Sequence, residues 1–225
     1  MADTAGTETF AASLGARLEK SKGLALAVCA MVFVIIVGVA VFAVLRAKSI
    51  SDGIERIDAI SYALMRGSGE LSEDEISSRQ QTALEELAPL CGKSGIVGLR
   101  ANMLIAEIKF ARKSYEEARS AWLRAAGLNK KSYTAPLCYY NAAVCGENLN
   151  DLEGALACYR AASEDEDFLL IDHALFSLGR VNESVGNYED AKTVYEKLNS
   201  LRPSSNWGQL AKSRLISLKA AGNIQ

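Results

Sequence analysis

The sequence predicts an all-α fold: helical hairpins stacked side by side, preceded by one long apolar helix. Three observations predict it. Helix formers are abundant and the 225 residues hold only 3 prolines. The segment Leu24–Leu45 contains no charged or strongly polar residue. And one short pattern is written three times, as "KSYEEARSAWLRA" (Lys113–Ala125), "NDLEGALACYRAA" (Asn150–Ala162) and "GNYEDAKTVYEKL" (Gly186–Leu198).

In chain order, residues 1–22 are small, polar and weakly charged and predict a flexible tail. A transmembrane helix is predicted over 23–46: at about 1.5 Å per residue, Leu24–Leu45 reaches roughly 33 Å, enough to cross a bilayer core. A cleaved signal peptide is the rival reading, but its apolar region usually runs about 7–15 residues and ends at a small-x-small site. Here the run is longer and "VFAVLRA" offers only a weak site. Arg17, Lys20 and Lys22 precede the span and Arg46, Lys48 and Arg56 follow it, so the positive-charge rule for orientation ties. A short N-terminal segment before a large C-terminal domain favours an N-terminus inside and the domain outside.

Residues 47–98 predict a divergent first hairpin. Ile50, Ile54, Ile57 and Leu64 recur at helical spacing, and Ser72 with Glu75 three residues on forms a capping box that opens the next helix. From there the pattern takes over. Its sixth place is alanine at 118, 155 and 191, spacings of 37 and 36. A period near that length means stacked helical pairs, here about 99–132, 136–169 and 172–205. Each pair needs small side chains where its helices cross, so Ala118, Ala155 and Ala191 are expected to face Ala106, Ala143 and Gly179. Trp122, Tyr159 and Tyr195, one turn later, fill the space where the helices splay. A last helix over 206–221 caps the stack, with Trp207, Leu210, Ala211, Leu215 and Leu218 inward and Lys212, Arg214 and Lys219 outward.

This pattern resembles the tetratricopeptide repeat. The match is best over Asp172–Ser205, through Leu178, Gly179, Gly186, Tyr188, Ala191, Tyr195 and Pro203. The first unit lacks the glycine and proline, and the second has Ala142 and Ala143 where Leu-Gly is usual. The resemblance implies a short right-handed superhelix whose first helices line a peptide-binding groove. Mapped residue by residue, the groove would be lined by Arg100, Met103, Glu107 and Phe110, then Leu137, Tyr140, Val144 and Glu147, then His173, Phe176, Arg180 and Glu183. Apolar anchors mixed with acids suit a peptide with apolar and basic side chains. The carboxylate clamp of chaperone-tail repeats is not expected, because only Asn141 matches it while Met103, Glu107 and Ser177 replace its other members.

Catalytic chemistry finds no foothold. His173 is the single histidine and has no partner set for a metal or a nucleophile. "SEDED" (Ser163–Asp167) lacks the glycine and distal glutamate of a calcium loop and reads as a solvated connection. Asn182-Glu183-Ser184 matches a glycosylation sequon but falls mid-helix. Cys138 and Cys145 lie two helical turns apart, about 10 Å, too far for a disulfide with each other. A net charge of −2 gives no reason to expect nucleic acid. No metal, cofactor or catalytic activity is expected; protein or peptide partners and a membrane are.

The whole layout of tail, span, helical stalk and small repeat domain also resembles the ancillary subunits of the bacterial Sec translocon. That likeness implies a single-pass inner-membrane protein, its domain outside the cytoplasm, handling exported envelope proteins with chaperone-like binding. A cytoplasm-facing adaptor and a non-catalytic subunit of an enzyme complex are the alternatives.

Overall fold

The computed structural model describes the backbone of residues 4–130 and 132–225, with side chains from Lys22 onward apart from 24, 25 and 131. The side chains of Arg17, Lys20 and Leu24 therefore lie outside the described residues. Contacts divide the chain into a unit ending at Asp52 and a second running from Gly53 to Gln225. Among the described residues every regular element is a helix, with no strand.

Helix α1 runs Thr4–Met65. It takes in residues expected to form a flexible tail, because that stretch has no proline and continues a helix that the apolar segment has already nucleated. The helix also does not stop at the end of the span. Within the first unit its apolar side chains stand open: Phe33 is 67% exposed and Phe42 65%. This stretch is apolar enough to cross a membrane, with a mean hydropathy of 3.2. Within the second unit the end of α1 packs as a protein helix, with Ile57 and Ile60 buried. Gly53 gives the closest approach, where Val97 would collide with any added side chain.

The short turn Ser68–Glu70 leads to α2 (Glu73–Cys91). The expected capping box opens α2: the Glu75 amide donates to Ser72 Oγ and the Ser72 amide to Glu75 Oε2, at 3.4 and 2.9 Å. Three helical pairs follow: α3 (Gly95–Ala111) with α4 (Tyr115–Leu128), α5 (Ala135–Asn148) with α6 (Leu152–Ala162), and α7 (Ile171–Ser184) with α8 (Tyr188–Leu201). Helix α9 (Asn206–Ala220) closes the unit. Helix α3 starts four residues before the expected boundary, since Gly95 takes the positive φ that lets the chain turn straight into it. At the junction of α2, α3 and α4 the buried Asn102 donates to the carbonyls of Cys91 and Gly98, both at 2.8 Å, and accepts from Arg124 at 3.1 Å.

The repeat shows most plainly in the backbone of its turns. Lys113, Asn150 and Gly186 have φ of 61°, 57° and 82°. They are spaced by 37 and 36 residues, so every pair is joined through one left-handed residue at the same place. Only glycine adopts that conformation freely; asparagine tolerates it and lysine is strained there.

Packing between paired helices follows the expected small-against-large rule, with a shift in partners. Ala118, Ala155, Ala191, Ala106 and Ala143 are fully buried, as are Tyr159 and Tyr195, and Trp122 nearly so. A Cβ on Gly179 would meet the ring of Tyr195, so that ring, rather than Ala191, takes the space the glycine leaves. Ala155 also packs against Gly146, 3.2 Å from where a Cβ would sit. In α9, Ala211 and Leu218 are buried, but Leu210, expected inward, is 47% exposed.

Two stability measurements check this reading. Lys113→Gly relieves a left-handed non-glycine residue and should stabilise by about 0.5–1 kcal/mol in urea unfolding, while Gly186→Ala should destabilise by about 1–2 kcal/mol. Gly179→Ala forces the buried Tyr195 ring to move and should cost about 1–3 kcal/mol. The control Gly127→Ala, on an open part of α4 with nothing within 4 Å, should be neutral or stabilising.

Candidate functional site

The face built by α3, α5, α7 and α9 carries the residues expected to line a groove, and its chemistry starts from two buried tyrosines. Tyr159 and Tyr195 enter the core from α6 and α8, and a buried hydroxyl needs a partner. Each finds a glutamate on the first helix of its own pair. Tyr159 Oη donates to Glu147 Oε1 at 2.6 Å, and Tyr195 Oη to Glu183 Oε1 at 2.5 Å. These carboxylates are themselves largely covered, with side-chain exposures of 21% and 9%. A covered carboxylate needs a cation, and each takes one from the next helix along the stack. Arg180 of α7 donates to both oxygens of Glu147, at 2.6 and 2.5 Å. Arg214 of α9 donates through Nε to Glu183 Oε1 at 3.0 Å and through Nη2 to Oε2. Each rung thus ties three helices together.

The electrostatics follow from this geometry. Burial, and then the carboxylate it serves, pushes each tyrosine hydroxyl well above its ordinary pKa. At Glu183 burial pulls the carboxyl up, but the hydrogen bonds from Arg214 and Tyr195 outweigh it and hold the pKa below the usual range. Burial, with the charge of Glu107 second, raises the Cys138 thiol to about 12, so it is an inert core group.

The first pair has no such rung. Phe110, Trp122 and Val144 stand where the later pairs place glutamate, tyrosine and arginine. Phe110 instead meets Tyr115 edge-on, with ring centroids 5.3 Å apart. At the other end, His173 lies against Trp207 at 4.4 Å, and Phe176 lies between Trp207 at 5.1 Å and Tyr195 at 5.8 Å. Tyr140 packs edge-on against Tyr159 at 5.6 Å.

The structure thus brings Tyr140, Glu147, His173, Phe176, Arg180 and Glu183 into direct contact with core or neighbouring helices. Leu137, Val144 and Met103 are half-buried against the two hydrophobic clusters. Arg100 pairs with Asp58 of α1 at 2.5 Å. Glu107 and Phe110 are the more open members. Arg214 is exposed as expected, with its side chain at 48%, yet its guanidinium reaches Glu183; the signal for that pairing was the spacing of 34 from Arg180, which echoes the 36 between Glu147 and Glu183. Asn182 is buried at 1% exposure, so the sequon there is closed to modification. In the acidic loop, Glu166 lies 3.9 Å from Lys197 and Asp165 caps the Asp167 amide at 3.0 Å. The five cysteines are free thiols. Among the described residues no three metal-ligating side chains come together.

With this geometry in hand, comparison with known proteins places the repeats. A profile of the tetratricopeptide repeat matches residues 172–205. A curated TPR repeat-containing protein of Treponema pallidum (strain Nichols) is 35% identical over 139 residues, 62% of this chain. The chain spans 58% of that relative's length. Two solved structures of nearly identical TPR-like repeats from a putative kinesin light chain of Podosopora anserina, one of them a single-substitution variant, superpose with a TM-score of 0.55 at 10% identity. They cover 75% of this chain and 85–86% of theirs. At that identity the likeness is one of fold.

The rungs generate a stability prediction. Tyr195→Phe should cost about 1.5–3 kcal/mol, because it deletes a hydrogen bond to a charged acceptor. A double-mutant cycle with Arg214→Ala should show the two coupled, since both act on Glu183. Glu183 has a depressed folded pKa, so its contribution is whole above the ordinary glutamate range and is lost as pH falls through the folded value. The difference in urea midpoint between wild type and Glu183→Gln should therefore close on acidification.

Proposed function

Residues 172–205 match a tetratricopeptide repeat, and on that premise we propose that the chain is a membrane-tethered, non-enzymatic repeat scaffold that binds polypeptide segments along the face of α3, α5, α7 and α9. The observation that carries the tether is the open apolar surface of α1, from Leu26 at 72% exposed to Leu45 at 62%. A helix of a water-soluble protein buries such a surface; lipid is the solvent that suits it. Polypeptide is the ligand the fold favours, because this face offers half-buried aromatic and aliphatic side chains beside carboxylates and, among the described residues, no cluster of catalytic groups.

In this proposal the groove comprises Arg100, Met103, Glu107, Phe110, Leu137, Tyr140, Val144, Glu147, His173, Phe176, Arg180 and Glu183. Glu147, Arg180 and Glu183 shape its floor through the rungs, and the others meet the ligand. The finer reading is a bacterial inner-membrane protein with its N-terminus in the cytoplasm and its repeats outside, acting as a chaperone-like adaptor in envelope protein export or assembly. Tethering would hold the repeats at high local concentration near the membrane, so that modest affinity suffices.

Topology is the test. A single cysteine is placed at the exposed Lys219, in a background where Cys29, Cys91, Cys138, Cys145 and Cys158 are replaced by serine or alanine. It is then treated with a membrane-impermeant thiol reagent in cells with a permeabilised outer membrane. Labelling in intact cells, with the protein in the membrane fraction, is the expected result. Labelling only after lysis places the repeats in the cytoplasm and replaces the export reading with an adaptor for a soluble complex. Recovery in the soluble fraction with residues before 46 removed would make the apolar segment a signal sequence and end the tether.

A further inference from the structure

Glu107 sits where the later repeats place arginine. Back along the stack, Arg180 aligns with Val144, 36 residues earlier, and Val144 with Glu107, a further 37. Arg180 reaches the carboxylate of the preceding pair; Glu107 inverts the charge and meets no counterpart. From the preceding helix, α1 presents Ser61, Leu64 and Met65. The cations nearby are committed elsewhere. Arg100 pairs with Asp58, and Arg79 donates to the carbonyls of Ala63 and Arg66 at 3.0 and 2.6 Å. Among the described residues Glu107 has no hydrogen-bond or ion-pair partner.

Two recesses open on either side of it, both lined by Ser61, Leu104 and Glu107. The larger, about 310 Å³, adds Leu64, Ile76 and Ile108. The smaller, about 190 Å³, adds Ile57, Met103 and the Arg100 that pairs with Asp58, and Arg79 lines the larger. Partial burial raises the Glu107 carboxyl above its ordinary value, although the residue as a whole is exposed. The other two groove carboxylates are not free in this way: Glu147 and Glu183 already hold their arginines.

We infer that the recess around Glu107, at the junction of α1, α2 and α3, is the specificity-determining end of the groove and takes a polypeptide segment in which a lysine or arginine is flanked by apolar side chains. The cation supplies the missing rung at Glu107, and the flanking side chains fill the recesses against Leu64, Ile76 and Leu104. Charge complementarity selects this occupant: an acidic segment meets the unpaired Glu107 carboxylate, and an uncharged one that fills the recesses covers that carboxylate without pairing it. The inference rests on the proposed peptide-binding role of this face.

The test uses the full chain in lipid nanodiscs, with empty nanodiscs as the blank, and three short fluorescent peptides. One alternates leucine with a central lysine, one replaces that lysine by norleucine, and one replaces it by glutamate. The lysine peptide is expected to bind wild type about fivefold more tightly than the norleucine peptide, the scale of one partly exposed ion pair. Glu107→Gln should abolish that preference without lowering the melting temperature, since it removes an uncompensated charge. Glu107→Lys should shift preference to the glutamate peptide. Equal binding of the lysine and norleucine peptides to wild type, or a lysine preference that survives Glu107→Gln, overturns this inference and leaves the groove standing. Absence of binding by any of the three overturns the groove reading along with it.

Discussion

A buried tyrosine hydroxyl must have an acceptor, and in this protein that requirement organises the stack. Tyr159 and Tyr195 fill the space between paired helices, so their hydroxyls emerge among the first helices rather than in water. Glutamate is the acceptor at both places. Covering a carboxylate costs several kcal/mol unless a cation comes with it, and the cation comes from the following helix. One packing choice on the second helix of a pair thus determines a residue on the first helix and another on the next. In a linear repeat protein, where each unit touches only its neighbours, such a rung makes the units fold as one body. It also changes what α9 is. Beyond covering apolar surface, it delivers Arg214, without which Glu183 would lie covered beside a tyrosine alone.

The same logic explains why the two ends of the face differ. At the first pair tryptophan replaces tyrosine. With no hydroxyl to satisfy, the glutamate and arginine places become Phe110 and Val144. The rung is absent and the contact there is apolar. Toward α9 polar rungs tie neighbouring helices together; at the first pair the Phe110–Tyr115 contact stands instead. The division arises from a single substitution, an indole for a phenol, followed through to its hydrogen-bonding consequences.

The repeats tolerate much sequence drift because most of their rules are cheap to break. A left-handed turn residue that is lysine instead of glycine costs about 1 kcal/mol, and asparagine less. The small-residue contacts are costlier to alter. At Gly179 a single methyl group would meet the Tyr195 ring directly, and the buried alanines sit at the crossing itself. The turn glycine is accordingly absent from two of the three pairs, whereas each pair keeps its alanine and its large aromatic.

By itself the sequence determined the helical class, the apolar segment, the capping box at Ser72, the period of the pairs and the burial of Ala118, Trp122, Ala155, Tyr159, Gly179, Ala191 and Tyr195. All of these are local or periodic. A helix face, a cap and a repeat length are written in residues a few positions apart, and burial follows from periodicity. The tertiary structure decided what the periodic residues touch. It gave the space beside Gly179 to the Tyr195 ring, set Arg214 against Glu183, continued α1 past the apolar segment, and divided the residues expected to line the groove into those already bonded and the one carboxylate left over. Those outcomes depend on where two helices cross, within a turn or so, and on which charges about 30 residues apart meet across that crossing. Sequence spacing gives the face a residue occupies; only the assembled packing gives the partner across from it.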